Sequence, residues 1–345
     1  MNAILTTRHW NEFLGRFPAD WQDVYFTEQY ARIYEDNSHV AECFVYEHAK
    51  DTFLFPYLKQ SIKFLGGKYY DFETPYGYGG PISTSIDAAF IRDAWEAFLG
   101  ECHTQKIIAG FIRFHPLLAN QNGMGSFLSV SFDRKTVAMD LTLGAERILN
   151  KEIHSKHRNV IRKAQKHGLR FVADEKFENL DVFIRIYKLN LKGLAADEFY
   201  DFKSSYYEAI KNNLQGHSFI GLVYKGQEII AAAIFFYYGI FGHYHLAGSL
   251  KEHRCYYPNN FLIYNAALFL QEKGVRRFHL GGGRQHDEED SLYKFKRRFS
   301  KEEFNFYIGK VIVDQSVYAE ACSSWKERFP QKKNQYENYL LKYNY

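Results

Sequence analysis

Hydrophobic periodicity divides the first half of this chain into strands and one helix. Short apolar runs lie on either side of Ala49-Lys50-Asp51, which predicts two paired strands joined by a turn. Further along, Phe90, Ala94, Ala97 and Phe98 share one face of a helix. The predicted elements of this half are strands at 42–47, 52–58, 107–114 and 136–141 and a helix at 86–102.

The second half again mixes strands with helices. Predicted helices lie at 149–167, 180–191, 202–214, 259–273 and 291–299. Predicted strands lie at 171–173, 218–224, 228–238, 244–247, 277–280 and 304–313. The order favours an α/β (α+β) fold in which helices flank a sheet of mixed direction. A chain of 345 residues suggests two domains, which we place at 1–148 and 149–314, with 315–345 as an addition to the first.

Composition narrows the classes of function. The net charge of +4 and pI of about 8.6 permit an anionic partner but are too mild for a dedicated nucleic-acid-binding protein, and we expect no DNA partner. Aromatic residues make up 18% of the chain, which suits clefts that hold sugars, nucleotides or peptides. The four cysteines are scattered, as expected in a reducing cytoplasm. We see no signal peptide and no membrane-spanning run, so we expect a cytoplasmic protein with at most peripheral membrane contact.

Three segments, in order, carry a family resemblance. They are Tyr76-Gly77-Tyr78-Gly79-Gly80-Pro81, the basic segment 155–164, and the run 278–283 that ends in Gly281-Gly282-Gly283 and is followed by 291–299. Their order and spacing over about residues 10–315 resemble the Fem family (FemA, FemB, FemX) and its GNAT-like relatives. The chain lacks the long charged insertion that forms the coiled-coil arm of FemA and FemB, so it is more similar to FemX.

The resemblance implies two GNAT-like domains, each with a mostly antiparallel mixed sheet, that face each other across a cleft. It implies an aminoacyl-tRNA donor and, as acceptor, an amine on a nucleotide- or lipid-linked muropeptide. The Phe-Lys pair of the family maps onto Phe295 and Lys296, with the lysine near the transferring carbonyl. The loop that ends at Gly80-Pro81 and the basic helix are implied to help bind the acceptor.

Lys296 is also the candidate that the chemistry favours. Acyl transfer to an amine needs a group that stabilises the oxyanion, and a fixed cation can do this. Lys294, Lys296 and Arg297 cannot all face one way on a helix, and we expect Lys296 to point inward beside Phe295. The alternative is an ordinary solvated basic helix.

Several other residues are candidates for substrate binding. The amides of Gly282 and Gly283 can approach an anion closely, or the glycines can form a plain turn. Arg158 and Arg162 share a helix face and can hold a diphosphate, or they can be solvated. The remaining candidates are Tyr76, Tyr78 and Gly80, in a loop that we expect its glycines to make flexible, and Tyr256 and Asn259, near the start of a helix.

Two absences bear on cofactors. The histidines and Cys255 of the second half follow no zinc-binding spacing, so we expect no metal. Residues 254–260 stand where acetyl-CoA-dependent GNAT enzymes carry a glycine-rich pyrophosphate loop, and Pro258 removes an amide that a pyrophosphate would use. We therefore expect no tightly bound cofactor and a donor that is aminoacyl-tRNA or, less in keeping with this loop, acyl-CoA.

The sequence thus predicts an N-acyltransferase that modifies an amine of a cell-envelope precursor, either a muropeptide or a nucleotide-linked amino sugar. Lys296 would stabilise the oxyanion, and no general base is evident unless the substrate or Tyr256 serves. Two alternatives stay open. One is an acyl-CoA-dependent N-acetyltransferase that acts on a nucleotide sugar or an amino acid. The other is a non-catalytic protein that binds carbohydrate or nucleic acid.

Overall fold

The computed structural model describes residues 2–194, 202–284 and 286–345. Its strands are β1 (Asn2–Thr7), β2 (His39–His48), β3 (Asp51–Ser61), β4 (Tyr70–Glu73), β5 (Ile82–Ser83), β6 (Ile107–Arg113), β7 (Ser129–Asp140), β8 (Leu169–Asp174), β9 (Ser218–Lys225), β10 (Glu228–Tyr238), β11 (Phe241–Ser249), β12 (Arg277–Gly282) and β13 (Glu302–Ile312). Its longer helices are α1 (Ala88–Thr104), α2 (Ser155–Lys166), α3 (Leu180–Leu194), α4 (Ser204–Asn213), α5 (Pro258–Glu272), α6 (Ser291–Arg297) and α7 (Gln315–Arg328). None of the helices in these ranges is both long enough and apolar enough to cross a membrane.

The chain divides into two compact units. The first contains the residues up to Trp21, 25–133 and 305–345, and the second contains 22–24 and 134–304. This boundary lies earlier in the chain than the boundary at 148 that the sequence suggested. The physical reason is β7, because residues 136–140 of this strand pair antiparallel with β12 and so complete the sheet of the second unit.

The sheet of the first unit has the strand order β1-β2-β3-β4-β6-β13, with β5 paired to β3. All neighbours are antiparallel except β4 and β6. The β2–β3 hairpin buries aromatic side chains on one face, including Phe44 and Phe55, and aliphatic ones on the other, including Val45 and Leu54. Asp87 caps α1, which packs Phe98 and its neighbours on the aromatic face. Successive residues of these two strands therefore alternate between an aromatic and an aliphatic buried face.

The C-terminal residues pack on the first unit. Helix α7 buries Ala321 and Trp325 against Ile62 and Ile108, and the last residues of the chain add Tyr343 to this cluster. Asn344 Nδ2 lies 2.9 Å from Asp71 Oδ2 on β4. The first unit is thus assembled from distant parts of the chain.

The sheet of the second unit has the order β7-β12-β11-β10-β9-β8. Its strands are antiparallel except for β11 and β12. Helix α5 is apolar on most of its surface and lies at the centre of the core, where Phe261, Leu262 and Leu270 are buried. Both units therefore have the mixed, mostly antiparallel sheet with flanking helices that the sequence predicted.

The basic helix is shorter than predicted. Residues 148–152 form a separate turn, and the backbone is extended at Ile153 and His154, so α2 begins at Ser155 rather than at 149. The His154 ring accepts a hydrogen bond from the amide of Lys156 and caps the new start. The glycine run also differs from the prediction, because Gly281 and Gly282 are the last residues of β12 rather than residues that follow it.

Candidate functional site

The second unit contains a point at which two neighbouring parallel strands separate. Strands β11 and β12 pair only over Phe241–His243 and Arg277–His279. After this point β11 continues alongside β10, and the end of β12 continues alongside β7. The β12–β7 register shifts between His279 and Gly281, and Gly281 adopts a left-handed backbone with φ 75°. Within the described ranges, no strand pairs with this side of β11 beyond His243.

Lys296 bridges this opening. It lies on α6, its side chain is 8% exposed, and its Nζ donates a hydrogen bond of 2.8 Å to the carbonyl of Gly282 on β12. The same Nζ lies 5.6 Å from the ring centre of Tyr244 on β11. Lys294 and Arg297 are exposed, so Lys296 is the inward-facing cation of this helix, as the sequence predicted.

Burial lowers the pKa of Lys296 to about 7. The positive charges of Arg134 and Arg284 lower the pKa further, whereas the carboxylate of Asp290 opposes both effects. The ammonium is therefore poised between its charged and neutral forms near neutral pH. Such a shift, at a point where backbone is open, is typical of a catalytic side chain.

The glycines beside Lys296 are tightly packed rather than loose. A side chain at Gly282 would lie 2.8 Å from the Lys135 carbonyl oxygen, and one at Gly283 would lie 2.5 Å from Asp290 Oδ1. Arg134 donates hydrogen bonds of 2.9 Å and 3.0 Å to the carbonyls of Gly283 and Arg284. The structure thus brings Gly282, Gly283 and Lys296 together in one site.

Helix α6 is anchored at both ends. Asp290 caps its start by accepting a hydrogen bond of 2.8 Å from the Tyr293 amide. Near its other end, His157 Nε2 on α2 lies 3.0 Å from the carbonyl of Phe295, and burial lowers the pKa of His157 to about 4. The neutral ring therefore donates to Phe295, which stays half-buried against His157 and Phe299.

Arg158 and Arg162 point back to the turn that precedes α2. Arg158 donates to the Asn150 carbonyl, and Arg162 donates to Asn150 Oδ1 at 2.8 Å. Arg162 is exposed and Arg158 is half-buried. They share a partner as well as a helix face, so a bound phosphate would have to displace or join Asn150.

Tyr256 and Asn259 lie at the start of α5. The centre of the Tyr256 ring lies 5.2 Å from the centre of the His167 ring and 5.0 Å from Lys225 Nζ. Asn259 Nδ2 donates a hydrogen bond of 3.1 Å to Ser249 Oγ at the end of β11. Tyr257 has a left-handed backbone with φ 57°, and Pro258 occupies the first helical position. This first turn lacks the glycines and the amide that a pyrophosphate loop would supply.

Tyr76, Tyr78 and Gly80 belong to the first unit, where hydrogen bonds and ring contacts hold their loop. Tyr30 donates to the Tyr76 carbonyl. The side-chain Nδ2 of Asn120 donates hydrogen bonds to the carbonyls of Gly79 and Pro81, at 2.8 Å and 2.9 Å. The rings of Tyr78 and Phe306 meet edge to face at 5.1 Å. Gly80 has φ 84°, which explains the glycine, and a side chain there would strike Phe114.

The histidines of β11 are engaged with other side chains of the second unit. His243 Nε2 lies 2.8 Å from Asp23 Oδ2, and both side chains are buried. His245 Nε2 lies 2.6 Å from the Tyr206 hydroxyl. Burial lowers the pKa of His245 to about 3, so this ring is neutral.

Sequence reasoning missed three residues of the site around Lys296, namely Tyr244, Asp290 and Arg134. Asp290 carried a readable signal, because Asp immediately before Ser291 is a typical helix N-cap. Tyr244 and Arg134 carried none, since they reach Lys296 only through the order of the strands in the sheet.

Comparison with known proteins identifies the fold. The family model described as an acetyltransferase (GNAT) domain matches residues 152–297 of this chain, the segment that carries α6 and Lys296. No protein of curated function matches the chain by sequence.

Three solved structures share the fold. FemX matches with a TM-score of 0.69 and 15% identity, over 93% of this chain and 99% of FemX. The C-terminal domain of a putative lysylphosphatidylglycerol synthetase from Agrobacterium fabrum matches with a TM-score of 0.54 and 13% identity, over 92% and 94% of the two chains. A tandem GNAT protein from the clavulanic acid biosynthesis pathway matches with a TM-score of 0.50 and 8% identity, over 90% and 98%. The predicted fold of two GNAT-like domains and the resemblance to FemX are confirmed.

Proposed function

We propose that this chain is a Fem-like N-acyltransferase that moves an aminoacyl or acyl group onto an amine of a cell-envelope precursor. The observation that carries the proposal is Lys296, a buried ammonium at the point where β11 and β12 separate in a GNAT domain. The fold of FemX, and that of a protein named as a lysylphosphatidylglycerol synthetase, support an acceptor that is a nucleotide-linked or lipid-linked envelope molecule. The reaction would take place in the cytoplasm, where nucleotide-linked precursors are made.

In the proposed reaction the neutral acceptor amine attacks the carbonyl carbon of the donor ester or thioester. The carbonyl oxygen becomes an oxyanion, which collapses as the bond to the donor oxygen or sulfur breaks and the new amide forms. Lys296 Nζ donates one hydrogen bond to the carbonyl oxygen of Gly282, and its charged form has two further N–H groups that can donate hydrogen bonds to the oxyanion. The amine loses a proton that the leaving group gains, so no covalent enzyme intermediate is needed.

The remaining candidates are proposed as substrate contacts. Arg158 and Arg162 carry charge that suits acceptor phosphates, and Gly282, Gly283 and Phe295 surround Lys296. Tyr256 and Asn259, which lie near the end of β11, are proposed to contact the donor or acceptor there. The loop of Tyr76, Tyr78 and Gly80 is proposed to contact the acceptor through the first unit.

Two donors are compatible with this chemistry. The first turn of α5 lacks a pyrophosphate loop, which favours aminoacyl-tRNA. The match to an acetyltransferase (GNAT) domain favours acyl-CoA, in which case the chain would be a CoA-dependent N-acetyltransferase.

Thermal-shift measurements with acetyl-CoA, longer acyl-CoAs, UDP-muropeptide and UDP-amino sugars distinguish these two donors. A ligand at 100 times its Kd raises the free energy of unfolding by about 2.7 kcal/mol. Stabilisation by UDP-muropeptide and by no CoA supports the Fem-like reaction, whereas stabilisation by a CoA supports the acetyltransferase.

The decisive test of the reaction is the variant Lys296→Met, assayed with the ligands that stabilise the protein. Loss of an oxyanion donor should lower kcat by about 10²–10³-fold. Lys294→Met is the matched control, because Lys294 lies two residues away on the same helix and faces solvent next to Glu289. Full turnover in Lys296→Met would remove this residue from the reaction. Ligand binding with no turnover in the wild type would instead support a non-catalytic binding protein.

A further inference from the structure

Asp290 contacts the site in two ways that sequence reasoning did not anticipate. Its Oδ1 accepts the Tyr293 amide and so fixes the first turn of α6, the helix that carries Lys296. The same carboxylate packs on Gly283, where even a methyl group would lie 2.5 Å from Oδ1. The glycine therefore makes room for a carboxylate at the end of β12, next to the carbonyl that Lys296 contacts.

The charges that act on Lys296 are unequal in number. Among the described residues that shift the pKa of Lys296, Arg134 on β7 and Arg284 after β12 disfavour the ammonium, and Asp290 favours it. The ring of Tyr244 on β11 faces the Lys296 ammonium. Burial raises the pKa of the Tyr244 hydroxyl, so this side chain stays uncharged. Two other acidic groups near α6 have their own partners: Glu303 pairs with Arg297 and with the buried Tyr293, and Glu289 pairs with Lys294. These acidic groups are thus already committed to other partners.

We propose that Asp290 is a positioning residue for Lys296, which both fixes the helix that carries the lysine and keeps its side chain charged for the transfer step. The inference rests on the proposed role of Lys296 in acyl transfer. It goes beyond that role by assigning the control of the lysine's charge to one carboxylate. Because a capping Asp can be replaced by Asn without loss of the cap, the two contributions can be separated experimentally.

Two variants make the separation. Asp290→Asn keeps a capping oxygen and removes the charge, whereas Asp290→Ala removes both. The readout is the titration of Lys296 in protein labelled with ¹³C at lysine Cε, with the signal assigned by its loss in Lys296→Met. In the wild type we expect a midpoint at about 7. In Asp290→Asn we expect a midpoint about one pH unit lower, from the loss of one carboxylate at short range.

The kinetic readout is the pH dependence of kcat. Lys296 is charged below its pKa, so kcat should fall as pH rises through that value, and in Asp290→Asn this fall should move to lower pH by the same amount as the titration. Asp290→Ala should show the same shift together with a lower Tm. Glu289→Gln, which neutralises a nearby exposed carboxylate, should move neither curve.

The inference is overturned if Asp290→Asn leaves the Lys296 midpoint in place, or if it alters kcat without moving that midpoint. The titration requires no substrate, so it gives an answer even if no acyl acceptor is found. A moved midpoint without any turnover would support the coupling and contradict the proposed function. If turnover depends on Lys296 but Asp290→Asn leaves the midpoint unmoved, the proposed function is supported and the coupling to Asp290 is contradicted.

Discussion

We expect the buried Lys296 to destabilise the fold in which it lies. Its side chain is 8% exposed, and removal of an ammonium from water is costly unless a charge partner is in contact. Here the direct contacts are a backbone carbonyl and an aromatic ring. The proposed role of Lys296 in acyl transfer would therefore carry a cost in stability, and that cost can be measured.

We therefore predict that Lys296→Met raises the free energy of unfolding at pH 7 while it lowers turnover. The folded pKa of about 7 is below the unfolded value of 10.5, so the unfolded chain binds the extra proton between these two values and wild-type stability rises with pH across this window. The advantage of the variant should be at most about 4 kcal/mol at pH 7 and about 1 kcal/mol at pH 9.5. Urea unfolding at both pH values measures it.

The control for this prediction is Lys294→Met, which removes an exposed lysine and should change stability by less than about 0.5 kcal/mol. A wild type that is more stable than Lys296→Met at pH 7 would show that the contacts of Lys296 outweigh its burial. The inward direction of Lys296 could be predicted from its spacing on a helix. Its neighbours Tyr244 and Arg134 could not, because no local pattern links positions 50 to 160 residues apart.

At the scale of elements, the site depends on how β12 ends. The strand stays paired with β7 up to Gly282, with a register shift between His279 and Gly281, whereas its pairing with β11 ends at His279. Strand positions could be predicted from the sequence because alternation and short apolar runs are local signals. The start of α2 was predicted incorrectly because basic residues continue through a turn that only the extended backbone at Ile153 and His154 reveals.

We predict that Gly282→Ala damages both stability and turnover. The added methyl group would lie 2.8 Å from the backbone oxygen of Lys135, so β12 must move and carry the Gly282 carbonyl away from Lys296. Forced repacking of this kind costs about 1–3 kcal/mol, and a displacement near 1 Å can lower kcat by about 10²-fold.

The measurements are thermal unfolding and kcat, with Gly144→Ala as the matched control. Gly144 lies in the same unit, has φ −60°, and has nothing within 4 Å of its added methyl group. If Gly282→Ala kept wild-type stability and turnover, the close packing at the end of β12 would have no role in placing Lys296.

At the scale of the whole molecule, the order of the chain differs from the order of the units. Residues 305–345 return to the first unit, where strand β13 pairs with β6 and the C-terminal residues cover the face that holds Ile62 and Ile108. The sequence suggested 315–345 as an addition to this domain on the basis of order alone. It could not locate the return at Asn305, because β13 has the same strand-like pattern throughout.

The contact between β4 and the C-terminus gives the first unit a pH-dependent stability. Asp71 is fully buried, and Asn344 Nδ2 is 2.9 Å both from its Oδ2 and from Gln60 Oε1. Burial raises the pKa of Asp71 to about 8, the hydrogen bonds from Asn344 and Tyr343 lower it, and the nearby Glu73 raises it. The carboxyl group is therefore protonated in the folded protein at neutral pH.

We predict that Asp71→Asn stabilises the protein at pH 8 and removes most of this pH dependence. Because the folded pKa lies above the unfolded value of 3.8, the folded state holds the proton between these values, and wild-type stability falls as pH rises from about 4 to about 8. An amide has the same shape and carries no charge, so the variant should gain about 2–4 kcal/mol relative to wild type between pH 5 and pH 8. Urea unfolding midpoints at the two pH values test this, with the exposed Asp20→Asn as control. Parallel pH profiles for wild type and Asp71→Asn would mean that Asp71 ionises in place without cost, and that the attachment of the C-terminus to β4 does not depend on pH.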